Sequence, residues 1–275
     1  MSPPTVNNSR SISGRPDPVV LAVDTTGPRS GLAIARGSHL LAALVSSRVE
    51  PHSRTLFDQL ILLLGQAGLE LSGIDLFAVV TGPGSFTGLR VGISALKGLA
   101  AAADRPLFGV DRFDLTAQSV GCAGTVLILL QAGRGEIYGA LRRISPDGRA
   151  VKIGTDLYGQ PPAVVKHLLG HRLGQPRCLT EPSNDSSLYI VGDGVDESFT
   201  FLTQHSIEDS LPMVKVSVAD PLGTGWQIVQ SDSIDAIQLA FAVGRLSAHP
   251  ENDSLPACLP LYIRPSDAEL NWFHS

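Results

Sequence analysis

The chain has 275 residues, 43% of them hydrophobic and 17% charged, which is enough to bury a sizeable core in one large domain or two modest ones. A formal net charge of -5 excludes the broad basic field that a chain docking alone onto a phosphate backbone would need. Cys122, Cys178 and Cys258 are odd in number, widely spaced and without a CxxC pair. This argues against a disulfide framework or a thiolate zinc site and for a reducing cytoplasm.

Met1 to Pro18 is rich in Ser, Asn and Pro and lacks the continuous apolar core of a signal peptide, so residues 1–18 are expected to be a disordered extension. No apolar run reaches the roughly 20 residues needed to span a bilayer. Val19 to Val23, Gly31 to Ala35 and His39 to Ser46 read as a meander of three strands. Ser53 to Leu64 turns helical, Ile74 to Val80 reads as a buried strand, and a glycine-rich turn leads into a helix over Leu89 to Ala103. A short strand over Leu107 to Val110 and a helix over Asp114 to Ser119 follow. Thr125 to Leu130 and Glu136 to Ile144 are the next strands, closed by the turn Ser145-Pro146-Asp147-Gly148.

From Lys152 to Ser217 the pattern is less regular, with a short helix over Val164 to Leu169 and a strand over Leu188 to Val191 ending at Gly192-Asp193-Gly194. A helix is predicted over Gln227 to Ala248 and a last strand over Leu259 to Arg264. A strand meander followed by alternating helix and strand, with a partial second round, predicts an α/β fold of two related lobes. The lobes are placed at residues 19–112 and 113–265, with a tail at 266–275.

The turn Thr81-Gly82-Pro83-Gly84-Ser85-Phe86-Thr87-Gly88 resembles a phosphate cradle, because helix N-termini carry unpaired N–H groups and a positive dipole end. Its spacing fits neither common loop. Gly82 and Gly88 are six apart and are followed by Leu89 and Arg90 instead of Lys, and the third glycine of a dinucleotide fingerprint is replaced by Thr87. The plain alternative is a tight turn that uses its glycines for their backbone freedom.

The two helices near this turn carry an unusual apolar load. Leu56, Phe57, Leu60, Ile61, Leu62, Leu63 and Leu64 cover more than one stripe of their helix, which suits burial on two sides. Gly92, Ser94, Ala95, Gly98 and Ala100 to Ala103 leave the following helix with little bulk, which permits close helix approach, while Leu89, Ile93, Leu96 and Leu99 supply apolar contact.

Asp24-Thr25-Thr26, His52 to Leu56, Gly82 to Gly92, Gly133 to Tyr138, Val191 to Gly194 and Leu261 to Arg264 occur in one order. This series resembles the TsaB family, bacterial proteins needed to make threonylcarbamoyladenosine in tRNA. The resemblance implies a two-lobed actin-like ATPase (ribonuclease H-like) fold with mixed sheets flanked by helices. It implies pairing with the related TsaD transferase, recruitment of the TsaE ATPase, a homodimer when alone, and only indirect contact with tRNA. It implies a non-catalytic, cytoplasmic subunit that binds no cofactor tightly, ATP being used by the complex. An independent ATP- or metal-dependent transferase or glycoprotease-like hydrolase is the alternative, and a stand-alone homodimeric binding module is a third.

The resemblance also assigns residues. Leu56, Leu60, Leu63, Leu89, Arg90, Ile93 and Lys97 are expected at the partner interface. Asp24, Thr25 and Thr26, with Asp193 as the second-lobe counterpart, are expected to line a vestigial nucleotide cleft. The transferase's two metal-binding histidines fall at Arg112 and Thr116, and a protonated guanidinium cannot ligate a metal. The one HxxxH here, His167 to His171, lies in the irregular middle and reads as a surface helix end, and His52 as a polar or capping residue. Gln131 stands where the family usually has Asp, which leaves Glu136 and Tyr138 as hairpin residues. No metal site is expected.

Overall fold

The computed structural model describes residues 17–27, 29–47, 52–173, 187–196, 198, 202, 213–217, 225–230, 237, 239–242, 258, 259, 261 and 263. The expected extension up to residue 16, Cys178 and the tail lie outside them. The chain divides into two compact units: residues 1–115 with 233–261, and 116–232 with 262–275. Of the described residues beyond 232, those at 237, 239–242, 258, 259 and 261 fall in the first unit.

In the first unit β1 (Val19–Asp24), β2 (Arg29–Arg36), β3 (His39–Ser47), β4 (Leu76–Gly82) and β5 (Leu107–Asp111) form one sheet in the order β3-β2-β1-β4-β5. The three-strand meander is antiparallel, and β4 and β5 join β1 in parallel. Every residue of β1 is buried, as expected for a central strand covered on both faces. Side chains alternate between those faces. Val19, Leu21 and Val23 point to one core with Leu32, Ile34, Phe77 and Val79, and Val20 and Ala22 to another with Ala33, Ala35, Ala78 and Phe108.

Helices α1 (His52–Ala67) and α2 (Phe86–Ala103) cover the first face. They bury Leu56, Leu60 and Leu63, and Leu89, Ile93, Leu96 and Ala100, at the three- and four-residue spacing of a helix stripe. α2 begins where the Ser85 hydroxyl caps Gly88 N–H and ends where Asp104 takes a left-handed conformation, φ 49°. The second face is rich in alanine, and the helical residues Leu239, Ala240 and Ala242 pack there with Leu115 of α3 (Arg112–Gln118). β2 and β3 slip register between Ile34 and Ala35, leaving Leu41 as an extra residue on β3.

The second unit repeats the opening arrangement. β6 (Gly124–Gly133), β7 (Glu136–Ile144) and β8 (Ala150–Gly159) form an antiparallel meander, and β9 (Ser187–Val191) adds in parallel to β6. β10 (Met213–Ser217) and β11 (Gly225–Gln230) extend the sheet to β10-β11-β9-β6-β7-β8. Helix α4 (Pro161–Leu173) packs Val164, Val165, Leu168 and Leu169 against Leu127, Leu129, Ile137 and Leu141.

Three expectations are corrected here. β8 occupies residues taken as irregular, because polar residues and Gly154 hide its alternation. Residues 227–230, expected in a helix, belong to β11, and only 237 and 239–242 are helical among the described residues beyond them. Leu259, Leu261 and Ile263 lie outside any strand; Leu261 makes one backbone bond to Thr81 instead of a ladder.

Sheet positions β7 and β8 also carry a buried ion pair. Arg142 is 1% exposed and donates to Asp156 at 2.8 Å, with Lys152 reaching the same carboxylate at 2.5 Å. A buried charge left without its partner cannot recover its hydration. Asp156→Ala is expected to lower stability by about 3 kcal/mol, read as a shift of the urea midpoint at unchanged slope.

Candidate functional site: the glycine turn and the outer faces of α1 and α2

β1 ends at a buried turn, Asp24-Thr25-Thr26. Asp24 Oδ1 accepts from the Thr26 N–H at 2.8 Å and from its hydroxyl at 2.6 Å, an Asx turn that folds the carboxylate onto its own backbone. The Thr25 hydroxyl donates to the Gly88 carbonyl at 2.6 Å, and the Ser85 N–H donates to the Thr26 carbonyl at 2.8 Å. The turn thus sits directly on the head of α2. A Cβ on Gly88 would stand 2.0 Å from the Thr25 carbonyl oxygen, one on Gly84 2.4 Å from that of Thr26, and one on Gly92 2.4 Å from the Thr25 hydroxyl.

The glycines of the motif are therefore explained by close approach of the chain to itself. Two of the donors that a phosphate cradle would offer are already used: Gly88 N–H by the Ser85 hydroxyl and Ser85 N–H by the Thr26 carbonyl. Gly88→Ala is expected to cost about 3 kcal/mol through overpacking. Gly98→Ala on the same helix, with nothing within 4 Å of its Cβ, is expected to be neutral or to gain up to about 1 kcal/mol. Thermal denaturation of both variants separates the two cases.

Asp193 does not occupy the position expected of it. The first strand of the second sheet is β6, so the counterpart of the Asp24 turn is the β6–β7 hairpin at 131–135. Asp193 follows β9, the strand placed as β4 is, and so corresponds to the glycine turn. Its carboxylate accepts from the Gln131 N–H at 2.8 Å, and the Gly194 N–H donates to the Leu129 carbonyl at 2.9 Å. This loop fastens β9 to the end of β6 much as α2 is fastened to β1. Gln131 contributes a backbone amide there, so the bond does not depend on which side chain replaces the family's Asp.

Five of the seven expected interface residues are core residues. Leu56, Leu60, Leu63, Leu89 and Ile93 are at most 4% exposed and pack on the first sheet. They have no surface to offer a partner, because the stripe that makes each helix amphipathic is the stripe its own sheet covers. Arg90 and Lys97 are exposed. On α1 the apolar surface belongs to Phe57, Ile61 and Leu62, which are 53%, 70% and 53% exposed. On α2 the exposed residues are Thr87, Arg90, Ser94, Lys97, Gly98, Ala101 and Ala102, with the Arg90 guanidinium 3.8 Å from the centre of the Phe86 ring.

Comparison with known proteins decides the kinship. Residues 41–155 match the family model of TsaD, tRNA N6-adenosine threonylcarbamoyltransferase. The chain is 28% identical to the tRNA threonylcarbamoyladenosine biosynthesis protein TsaB of Bacillus subtilis over 137 residues, 46% of this chain and 60% of that protein. The chain is a relative of TsaB. It is also 29% identical to an uncharacterized protein of Mycobacterium tuberculosis over 180 residues, covering 62% of this chain and 82% of the other. Among solved structures it is similar to YeaZ from Pseudomonas aeruginosa, with a TM-score of 0.60 at 20% identity over 89% of this chain and all of that one. This likeness shows the fold: mixed sheets flanked by helices, as the resemblance to TsaB implies.

Against the transferase pattern, Arg112 opens α3 and is 4% exposed, and Thr116, one turn on, is 6% exposed. Both point inward, where a TsaD-type pair would present histidines. Among the described residues no group of three or more His, Cys, Asp or Glu is placed to hold a metal ion. His167 lies on the exposed side of α4, opposite Val164, Val165, Leu168 and Leu169, while the side chain of His171 lies outside the described residues. His52 is the first residue of α1.

Glu136 accepts a hydrogen bond from the Tyr158 hydroxyl, and the rings of Tyr138 and Tyr158 lie 5.7 Å apart, so this stretch of the TsaB-like motif ties β7 to β8. Burial pushes the Cys258 thiol up to about 11, with Lys97 opposing, so it stays a neutral thiol. Asp147, in the β7–β8 turn, is held below the usual carboxylate range by the Ser145 hydroxyl and the Arg149 amide. No helix among the described residues is long and apolar enough to cross a membrane.

Proposed function

We propose that this chain is a non-catalytic partner subunit in the synthesis of threonylcarbamoyladenosine on tRNA, docking on a TsaD-type transferase through the outer faces of α1 and α2. The kinship with TsaB supports the pathway. The observation that carries the docking is the apolar surface Phe57, Ile61 and Leu62 on a helix whose inner stripe is already satisfied. Next to it α2 presents Ser94, Gly98, Ala101 and Ala102, small enough for a facing helix to approach closely. Aliphatic and aromatic anchors beside a low-bulk groove are the ingredients of a helix-on-helix interface.

Arg90 and Lys97 at the margin add positive charge that favours an acidic partner surface. The same face serves for a homodimer in the free chain, exchanged for the transferase when that is present. A non-catalytic role is supported by Arg112, a fixed cation at a ligand position of the transferase, and by the Asp24 turn closed on its own backbone. A TsaE-type ATPase then joins the complex in the cytoplasm and brings the ATP-dependent step, while tRNA is met by the other subunits because this chain is acidic.

The triple substitution Phe57→Ser, Ile61→Lys, Leu62→Ser is expected to keep the thermal midpoint within a few degrees and to weaken co-elution with the transferase by at least about 100-fold in Kd, since each exposed anchor is worth on the order of 1 kcal/mol or more. Leu60→Asp and Ile93→Asp are expected to unfold the first unit instead. An unchanged complex with the triple variant overturns the docking face, and ATP turnover by the chain alone overturns the non-catalytic role.

A further inference from the structure

Asp-Gly occurs twice in the chain, at 147–148 and at 193–194. The pair has a chemistry of its own. A glycine puts no side chain in the way, so its nitrogen can attack the carboxyl carbon of the aspartate before it. The N–Cγ bond forms, the amide proton passes to solvent and the carboxyl hydroxyl leaves as water, which closes a succinimide ring. Water then reopens the ring. Addition at Cγ restores aspartate, whereas addition at the main-chain carbonyl gives isoaspartate, whose backbone runs through Cβ and Cγ. One water is lost and one is regained, and nothing is oxidised or reduced.

The two pairs stand in opposite settings. The Asp193 carboxylate accepts from the Gln131 N–H at 2.8 Å, and the Gly194 N–H donates to the Leu129 carbonyl at 2.9 Å. Both reacting groups are thus held by β6. Gly194 is buried, and a Cβ on it would stand 2.9 Å from the Leu130 carbonyl carbon, so the backbone has no room to swing. Asp147 and Gly148 are both exposed in the β7–β8 turn, and a Cβ placed on Gly148 would meet nothing within 4 Å. The holds here come from the turn itself. The Gly148 N–H donates to the Ser145 carbonyl at 2.8 Å, and Asp147 accepts from the Ser145 hydroxyl and from the Arg149 N–H at 3.4 Å. Arg149 Nε lies 3.1 Å from the same carboxylate, and both of these side chains are exposed. Exposed pairs of this kind are weak. We propose that Asp147–Gly148 is a modification site at which isoaspartate forms in the folded chain, while packing protects Asp193–Gly194.

Ser145 and Arg149 restrain the reaction, because the hydroxyl leaves as water only from a protonated carboxyl and both residues favour the carboxylate. The product adds a methylene to the main chain between Ser145 and Arg149, where the Ser145 N–H now donates to the Arg149 carbonyl at 3.0 Å. The pairing of β7 with β8 begins next to this turn, at Ile144 and Ala150. β8 also carries Asp156, the partner of buried Arg142. Isomerisation therefore loosens β8 from β7.

The test ages the full-length chain at physiological pH and temperature. Isoaspartate is quantified by enzymatic methylation of its α-carboxylate and located by electron-transfer fragmentation of peptides. It is expected to accumulate at 147 and to stay at background at 193, and the aged chain is expected to exchange amides faster in 150–159 but not in β1. Arg149→Ala and Ser145→Ala are expected to speed its formation about two- to fivefold, the worth of an exposed polar contact. Asp147→Glu keeps the charge without closing the succinimide ring and serves as the blank. In urea both sites are expected to react at similar rates. A signal at 147 no higher than in Asp147→Glu, or equal signals at the two sites of the folded chain, overturns the proposal. A difference that persists in urea also overturns it, since local sequence then sets the selectivity. Unchanged rates in both alanine variants overturn the restraint by Ser145 and Arg149, and unchanged exchange in 150–159 overturns the loosening of β8.

Discussion

The contact between the Thr25 hydroxyl and the Gly88 carbonyl, at 2.6 Å, fixes the position of α2 and through it the outer surface of the first unit. The close approach leaves no room for a Cβ at 84, 88 and 92, and beside it the Gly88 N–H is taken by the Ser85 hydroxyl and the Ser85 N–H by the Thr26 carbonyl. Once α2 is seated there, Leu89, Ile93, Leu96 and Ala100 meet the sheet in register, and α1 fills the remaining width with Leu56, Leu60 and Leu63. What faces outward on both helices is then decided by elimination. A turn that looks built to grip an anion grips the chain itself.

Much of the fold was legible because its signals are local. The buried runs at Val19 to Val23 and Ile74 to Val80 and the helix-forming stretch at 53–64 depend on neighbours within a few residues. The misread segments depend on distant partners. β8 is an edge strand whose pairing with β7 comes from Tyr158 meeting Glu136 and from the Arg142–Asp156 pair, none of which shows as a periodic pattern. β11 reads as helical because Gln227 to Gln230 carry no turn signal and run toward a helical stretch.

The site was legible by element and not by residue. Both helices were recognisable from their composition, yet the apolar residues named for a partner were the ones the sheet claims. Phe57 and Ile61 alternate with Leu56 and Leu60, and only the phase of α1 against β2 and β3 distinguishes the two pairs. That phase shows only in the packing of Leu56, Leu60 and Leu63 with sheet residues far from α1 in sequence. Asp193 was misassigned for a related reason: glycines on both sides of an aspartate look alike at the end of a first strand and at the end of a fourth, and only the sheet order tells them apart.

The extra residue on β3 has a consequence for how the chain behaves in a crowded solution. His39 to Ser47 stands at the end of its sheet among the described strands, runs for nine residues without a lysine, arginine, carboxylate or proline, and exposes Leu40 and Val45. Such a margin is a template for edge-to-edge aggregation. The bulge at Leu41 bends and overtwists it, so that a flat neighbour finds no straight row of amides to pair with. A backbone irregularity guards this edge, where many proteins use surface charge.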